Sequence, residues 1–208
     1  MKVSEVFSSI QGESTYSGLP CFFIRLSGCN LRCSYCDTAY AYVGGEQRTI
    51  PSLVEAFQRS GLPIAQITGG EPLLQAKTPA LAEALFKGGA LKVLVETNGS
   101  KDISGLPAGT VVVMDVKCPG SGMSESFDLA NLDRLRMHDE VKFVISDRAD
   151  FEWAADFVKR HELPGRCGAV LFSPVSDRVK PGDLGRWLVE ARLPVRLQLQ
   201  LHKIAGLA

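Results

Sequence analysis

Residues 64–97 read IAQITGGEPLLQAKTPALAEALFKGGALKVLVET. Ile64–Thr68 and Leu91–Thr97 are short apolar runs rich in β-branched residues, which is how buried strands read. Between them, Pro79–Lys87 has a helical pattern and stops at Gly88-Gly89. Strand, helix and strand in this order make a parallel pair joined by a right-handed crossover. The alternation extends both ways along the chain. Cys21–Leu26, Val111–Val116, Glu140–Ile145, Ala169–Ser173 and Val195–Leu201 also read as strands. Pro51–Ser60, Asp150–His161 and Pro181–Ala191 read as helices. In Asp150–His161 the apolar residues Phe151, Ala154, Ala155 and Val158 fall at helical spacing, and Asp147 or Asp150 is placed to cap the helix.

The expected fold is therefore α/β, with a mainly parallel sheet. A complete (β/α)₈ barrel takes about 250 residues, whereas this chain has 208. A partial (open) TIM-like barrel is expected, as a single domain over residues 1–208. Gly120–Ser126 is the most irregular stretch and reads as a surface loop.

Hydrophobic residues make up 45% of the chain and charged ones 22%, enough for a core and without the signature of disorder. Twenty-three basic and 23 acidic residues cancel, so no basic excess points to nucleic acid or an anionic membrane. Met1–Phe7 carries Lys2 and Glu5 and reads as neither signal peptide nor anchor, so the expected location is cytoplasmic.

Chemistry-bearing residues cluster just after the expected strands, where parallel α/β folds place their sites. Cys29–Cys36 follows Cys21–Leu26, Gly69-Gly70-Glu71 follows Ile64–Thr68, and Asn98-Gly99 follows Leu91–Thr97. Asp115, Val116 and Lys117 end another strand, and Ser173, Pro174, Val175 and Ser176 close the next.

Cys29, Cys33 and Cys36 place three thiolates within eight residues, suited to an Fe–S cluster. A [4Fe–4S] cube held this way keeps one iron open. On the cysteines alone, a zinc site completed by a distant Cys or His is an equal alternative. Cys21, Cys118 and Cys167 read as packing residues.

With Gly69-Gly70-Glu71-Pro72 on the next strand end, the cysteine loop resembles the radical S-adenosylmethionine (SAM) superfamily. Further blocks sharpen the resemblance: Glu5–Glu13 (EVFSSIQGE), Phe23–Leu31, Cys36-Asp37-Thr38, Thr68–Gln75, Glu96–Gly99, Asp115–Gly122 and Gln200–Lys203. Together they span almost the whole chain and resemble the 7-carboxy-7-deazaguanine synthase family. The resemblance implies a [4Fe–4S] cluster on Cys29, Cys33 and Cys36, with SAM chelated at the open iron. It also implies substrate contacts to 6-carboxy-5,6,7,8-tetrahydropterin from Ile10, Gln11, Gly12, Glu13, Arg25 and Thr68. SAM would meet Tyr35, Asp37, Gly70, Glu71, Asp115, Val116, Lys117 and Ser173–Ser176. The loop's acidic side chain, Glu71, would help receive the SAM amino group. Thr38 would meet Mg²⁺, and the tail, at Ala208, would reach the substrate. An electron donor such as flavodoxin or ferredoxin and a homodimer are implied as well.

The residues themselves suit such a ligand. Gln11 both donates and accepts, Glu13 accepts from an amino-pyrimidine edge, and the Arg25 fork matches a carboxylate. A glycyl-radical activase shares the cysteine loop, but has little use for the Gln11–Glu13 and Arg25 set. A zinc-stabilised binding module or non-catalytic electron carrier leaves the Gly-Gly-Glu-Pro turn unexplained.

Overall fold

A computed structural model describes residues 1–207 and begins with a hairpin. β1 (Lys2–Ile10) and β2 (Pro20–Leu26) pair antiparallel, with a register shift between Val3 and Glu5. The two-residue β3 (Glu46–Gln47) pairs with the start of β1. Then α1 (Ile50–Ser60) leads to β4 (Ile64–Gly69), and α2 (Thr78–Lys87) to β5 (Lys92–Thr97). β6 (Val111–Val116) and β7 (Glu140–Ile145) precede α3 (Arg148–Arg160). β8 (Ala169–Pro174), α4 (Pro181–Ala191), β9 (Arg196–Leu197) and α5 (Leu201–Ile204) complete the order.

Among the described residues the strands form one sheet in the order β3-β1-β2-β4-β5-β6-β7-β8-β9. From β2 to β9 every pairing is parallel. The sheet ends at β3 on one side and β9 on the other, and so stays an open barrel. Local signals explain the helix ends. Thr49 accepts from Ser52 N, Pro51 sits in the first turn of α1, and Gly61 stops the helix at φ 67. The Asp147 side chain accepts from Asp150 N, and Lys159 and Arg160 occupy the last turn of α3.

Strand alternation gives the sheet two faces. Phe22, Ile24, Leu26, Val93, Val95, Val112, Met114, Val141, Phe143, Ile145, Val170 and Phe172 point outward to Leu53, Phe57, Leu81, Leu85, Phe151, Val158, Leu184 and Leu188 of the helices. Each such buried side chain contributes about 1.5–3 kcal/mol of transfer free energy. Inward, a smaller cluster of Cys21, Phe23, Ile64, Leu94, Val111 and Val113 packs with Phe7 and Tyr16. Phe7 and Phe23 stack at 4.9 Å between centroids.

Several expectations change. Val195–Leu201, read as one strand, contributes only Arg196–Leu197 to the sheet. Gln198 N then donates to Phe172 O at 2.8 Å, and the chain turns into α5. The alternation there serves a segment that leaves the sheet: Leu201 N donates to Gly12 O at 2.8 Å. Lys2–Ile10, not read as a strand, is the longest one. Gly120–Ser126 is not wholly a surface loop, since Ser121 is buried within 3₁₀ turns. Ala208, expected to touch substrate, lies outside the described residues.

Candidate active site

A cavity of about 540 Å³ opens at the carboxyl ends of the parallel strands. Its rim is the loop after β2. Here Cys29, Cys33 and Cys36, each partly exposed, line the cavity. The loop is held from three sides. Ser34 N donates to Ser121 O at 3.0 Å and Ser34 Oγ to Gly120 O at 2.8 Å. Tyr35 Oη donates to Val144 O at 3.3 Å, and Glu71 N to Gly28 O at 2.8 Å.

The Gly69-Gly70 turn presses against this loop. A Cβ at Gly70 would lie 2.4 Å from Gly28 O and 2.6 Å from Cys29 Cβ, so only glycine permits the approach. Gly69 has φ +150, and a Cβ there would meet Leu26 O at 2.1 Å. Glu71 is turned away from the cavity. Its carboxylate accepts from Asn98 N at 2.7 Å, Thr97 Oγ1 at 2.8 Å and Leu73 N at 2.9 Å. Burial pushes this carboxyl above its ordinary value, against the pull of those donors.

The remaining cysteines are packing residues. Cys21, Cys118 and Cys167 are buried, none lines the cavity, and burial pushes the Cys21 thiol up to about 12. Among the described residues no three His, Cys, Asp or Glu side chains converge as the ligands of a single metal ion. A cube does not ask for that, because each of its cysteines binds a different iron.

Below the rim, each central strand turns polar side chains inward. Gln66 and Thr68 come from β4, Glu96 from β5, Asp115 from β6 and Lys142 from β7. Lys142, with 4% of its side chain exposed, is the hub. Its Nζ lies 2.5 Å from Glu13 Oε2, 2.6 Å from Glu96 Oε1 and 3.5 Å from Asp115 Oδ2. Burial opposes its charge, yet the three carboxylates hold its pKa well above the ordinary lysine value. Burial likewise raises Glu13 and Asp115. For Glu13 the pull of Lys142 and Gln200 prevails, and for Asp115 that of Lys117 and Lys142, so both carboxyls end below their ordinary values. Lys117 donates to Asp115 Oδ2 at 2.9 Å, whereas the buried Asp115 Oδ1 has no partner among the described residues.

The loop between β1 and β2 forms the floor. Glu13 N donates to Gln11 Oε1 at 3.0 Å, and Thr15 N to Glu140 Oε2 at 3.0 Å. Gln11 donates to Gln66, which donates to Glu96 at 2.9 Å. From the far end of the chain, Gln200 Nε2 reaches Glu13 Oε1 at 2.8 Å. The His202 ring fills the space over Gly12, where an added Cβ would stand 1.8 Å from its Nδ1.

Ile10, Gln11, Gly12, Glu13, Arg25 and Thr68 all line this cavity. Arg25 Nε is held by Glu5 at 2.7 Å, and its guanidinium lies over the Phe7 and Tyr40 rings. Tyr35, Asp37, Gly70, Asp115, Lys117, Pro174, Val175 and Ser176 also line it. So does Thr38, whose hydroxyl donates to Asp37 Oδ1 at 2.9 Å. Glu71, Val116 and Ser173 do not. Val116 belongs to the outward core because it alternates with Asp115, Ser173 is buried on β8, and Glu71 supports its own turn. Gln66, Glu96, Lys142, Gln200, His202 and Lys203 line the cavity without having been singled out for a role from sequence.

The Radical SAM superfamily pattern matches residues 23–106, which contain both the cysteine loop and the Gly-Gly-Glu-Pro turn. The chain is 43% identical to the 7-carboxy-7-deazaguanine synthase of Koribacter versatilis over 98% of this chain and 96% of that protein. It is 39% identical to the protein of the same name from Chlorobaculum tepidum, over 98% of this chain and 93% of the relative. The crystal structure of QueE from Escherichia coli has the same fold, with a TM-score of 0.79 at 24% identity, covering 97% of this chain and 94% of that one.

Proposed function

This chain belongs to the 7-carboxy-7-deazaguanine synthases of the radical SAM superfamily, and from that premise we infer that it converts 6-carboxy-5,6,7,8-tetrahydropterin to 7-carboxy-7-deazaguanine. The conversion contracts a ring, releases ammonia and serves queuosine and other 7-deazapurines. One observation carries the reading: three thiols on one rim share a cavity with a wall where Glu13, Glu96 and Asp115 surround Lys142. When bound, a reduced [4Fe–4S] cluster and SAM supply the 5′-deoxyadenosyl radical that abstracts a substrate hydrogen.

The residues present fit that pair of cofactors. Cys29, Cys33 and Cys36 would hold the cluster, and the close approach of Gly70 to Cys29 brings backbone polar groups beside it. Asp115 Oδ1, buried and without a partner among the described residues, is suited to accept from a hydroxyl or ammonium of SAM. Tyr35, Asp37, Lys117 and Pro174–Ser176 would complete that half of the cavity.

The substrate half is formed by Ile10–Glu13, Arg25 and Thr68. Glu13, held ionised, accepts from the donor-rich amino-pyrimidine edge. Arg25, whose guanidinium beyond Nε has no hydrogen-bond partner among the described residues, faces the substrate carboxylate. The Thr38 hydroxyl would hold Mg²⁺ beside that carboxylate. The reading further includes a single domain over residues 1–208, a homodimer, an electron donor such as flavodoxin or ferredoxin, and a cytoplasmic location. In support of the last, no helix among the described residues is long and apolar enough to cross a membrane.

Anaerobic reconstitution with iron and sulfide, reduction, and addition of SAM with 6-carboxytetrahydropterin tests the proposal. 7-Carboxy-7-deazaguanine is the expected product. 5′-Deoxyadenosine without the deazapurine would reject the substrate, and no SAM cleavage by a cluster-loaded protein would reject the reaction class.

A further inference from the structure

Lys142 is the most enclosed cation of the cavity, and the reaction as set out above gives it no part. It stands on the inner face of β7, donates to Glu13 and Glu96 and forms a longer ion pair with Asp115, so it meets carboxylates from three separate elements. Glu13 comes from the floor loop, Glu96 from β5 and Asp115 from β6, at 2.5, 2.6 and 3.5 Å. Glu13 belongs to the pterin half and Asp115 to the SAM half.

We propose that Lys142 is a positioning residue that fixes the pterin-facing carboxylate of Glu13 and the SAM-facing carboxylate of Asp115 in one frame, and so couples SAM cleavage to substrate turnover. The inference rests on the reading of the reaction given above and deepens it. Lys142 takes only one oxygen of each carboxylate, Oε2 of Glu13 and Oδ2 of Asp115. Glu13 Oε1 is then held by Gln200, while Asp115 Oδ1 is left for a ligand. A carboxylate has about four acceptor sites, so Glu13 keeps capacity for a bound amino-pyrimidine.

Remove the ammonium and three carboxylates share the wall with Lys117, which is already paired to Asp115. Like charges that close cannot all stay ionised, and one carboxyl takes a proton. If Glu13 takes it, the residue presents a donor to the donor edge of the pterin. If the carboxylates instead swing apart, the two halves of the site lose their common reference. In both cases SAM is still bound and cleaved at the cysteine rim, but the radical meets a misplaced substrate. Glu96 is the counterweight: it ties Lys142 to Gln66 and, through it, to Gln11.

The test compares wild type with Lys142→Met in the reconstituted holoenzyme, scoring 5′-deoxyadenosine and 7-carboxy-7-deazaguanine in the same reaction. The variant is expected to raise 5′-deoxyadenosine per deazapurine at least tenfold and KM for the pterin at least tenfold, with unchanged cluster absorbance. A merely structural lysine would lower the folded fraction and leave both quantities unchanged per folded molecule, which overturns the proposal. Should Lys142→Met not accumulate in folded form, Glu96→Gln removes one anchor while keeping the cation. It is expected to raise the same ratio at least threefold, and a wild-type ratio there overturns the proposal too. A wild type that makes no deazapurine overturns the substrate reading and the proposal with it. Normal wild-type turnover beside a normally coupled variant overturns the proposal alone.

Discussion

The two faces of the parallel strands are written by alternate residues of the same segments, yet they obey different rules. In β7, Val141, Phe143 and Ile145 point to the helices, while Glu140 and Lys142 point into the barrel. The outward face is apolar and closely packed, so stability is its business. The inward face carries buried charges that cost folding free energy unless each is paired, and its arrangement answers to ligands. Substitutions on the two faces should therefore fail in different ways.

The largest effect belongs to the inward rim. Cys33→Ala is expected to abolish cluster retention and SAM cleavage, while apo-protein melting stays close to wild type because Cys33 is partly exposed. Iron content, visible absorbance and a thermal melt together check this; a variant that unfolds would mean that the faces are not separable. On the outward face, Phe143→Ala should cost about 3–5 kcal/mol of stability. Phe143 is fully buried and packs edge-on against Phe172 at 5.3 Å and Phe157 at 5.7 Å. Urea denaturation measures the loss, and the KM of the remaining folded enzyme should be unchanged.

A third substitution strikes the floor. Gly12→Ala places a methyl 1.8 Å from His202 Nδ1 and 2.9 Å from His202 Cβ, so ring rotation alone does not relieve it and α5 must shift. KM for the pterin is expected to rise about tenfold, equivalent to about 1.4 kcal/mol, with little change in melting. A wild-type KM would show that His202 yields without disturbing the site.

The smallest effect is in pH. Because the Glu13 carboxyl lies below its ordinary value of 4.5 in the folded protein, its contribution is complete above that value. It drains as pH falls from there through the lower folded value. The stability gap between wild type and Glu13→Gln should thus hold from pH 7 to about 5 and shrink under more acidic conditions. A gap that is constant with pH would contradict the ion pair with Lys142.

Sequence reading reached the outward face more readily than the inward one. Val111–Val116 and Glu140–Ile145 coincide with β6 and β7, because runs of buried β-branched residues signal themselves. β1 escaped notice because KVSEVFSSI mixes polar residues into a half-buried strand near the sheet edge. The cysteine loop and the glycine turn were legible as motifs, since their chemistry is local. Lys142 and Glu96 were not, because the partners that give them meaning come from other strands. A signal did exist: Gln66, Glu96, Asp115 and Lys142 each interrupt a central strand on the same alternating register. A polar residue in that position on successive buried strands marks an interior that is wet or occupied.

The contact between Glu13 and Gln200 spans 187 positions in the sequence, whereas the three cysteines lie within eight. Loop closure across so long a separation requires every intervening strand to be in place, so the floor of the cavity is completed late in folding. The cysteine loop is pinned by nearer contacts, Ser34 to Gly120 and Ser121 and Tyr35 to Val144, and so is settled once β7 is in place. A chain folded through β7 would therefore already present its three thiols on the rim while the substrate side of the cavity still lacks Gln200.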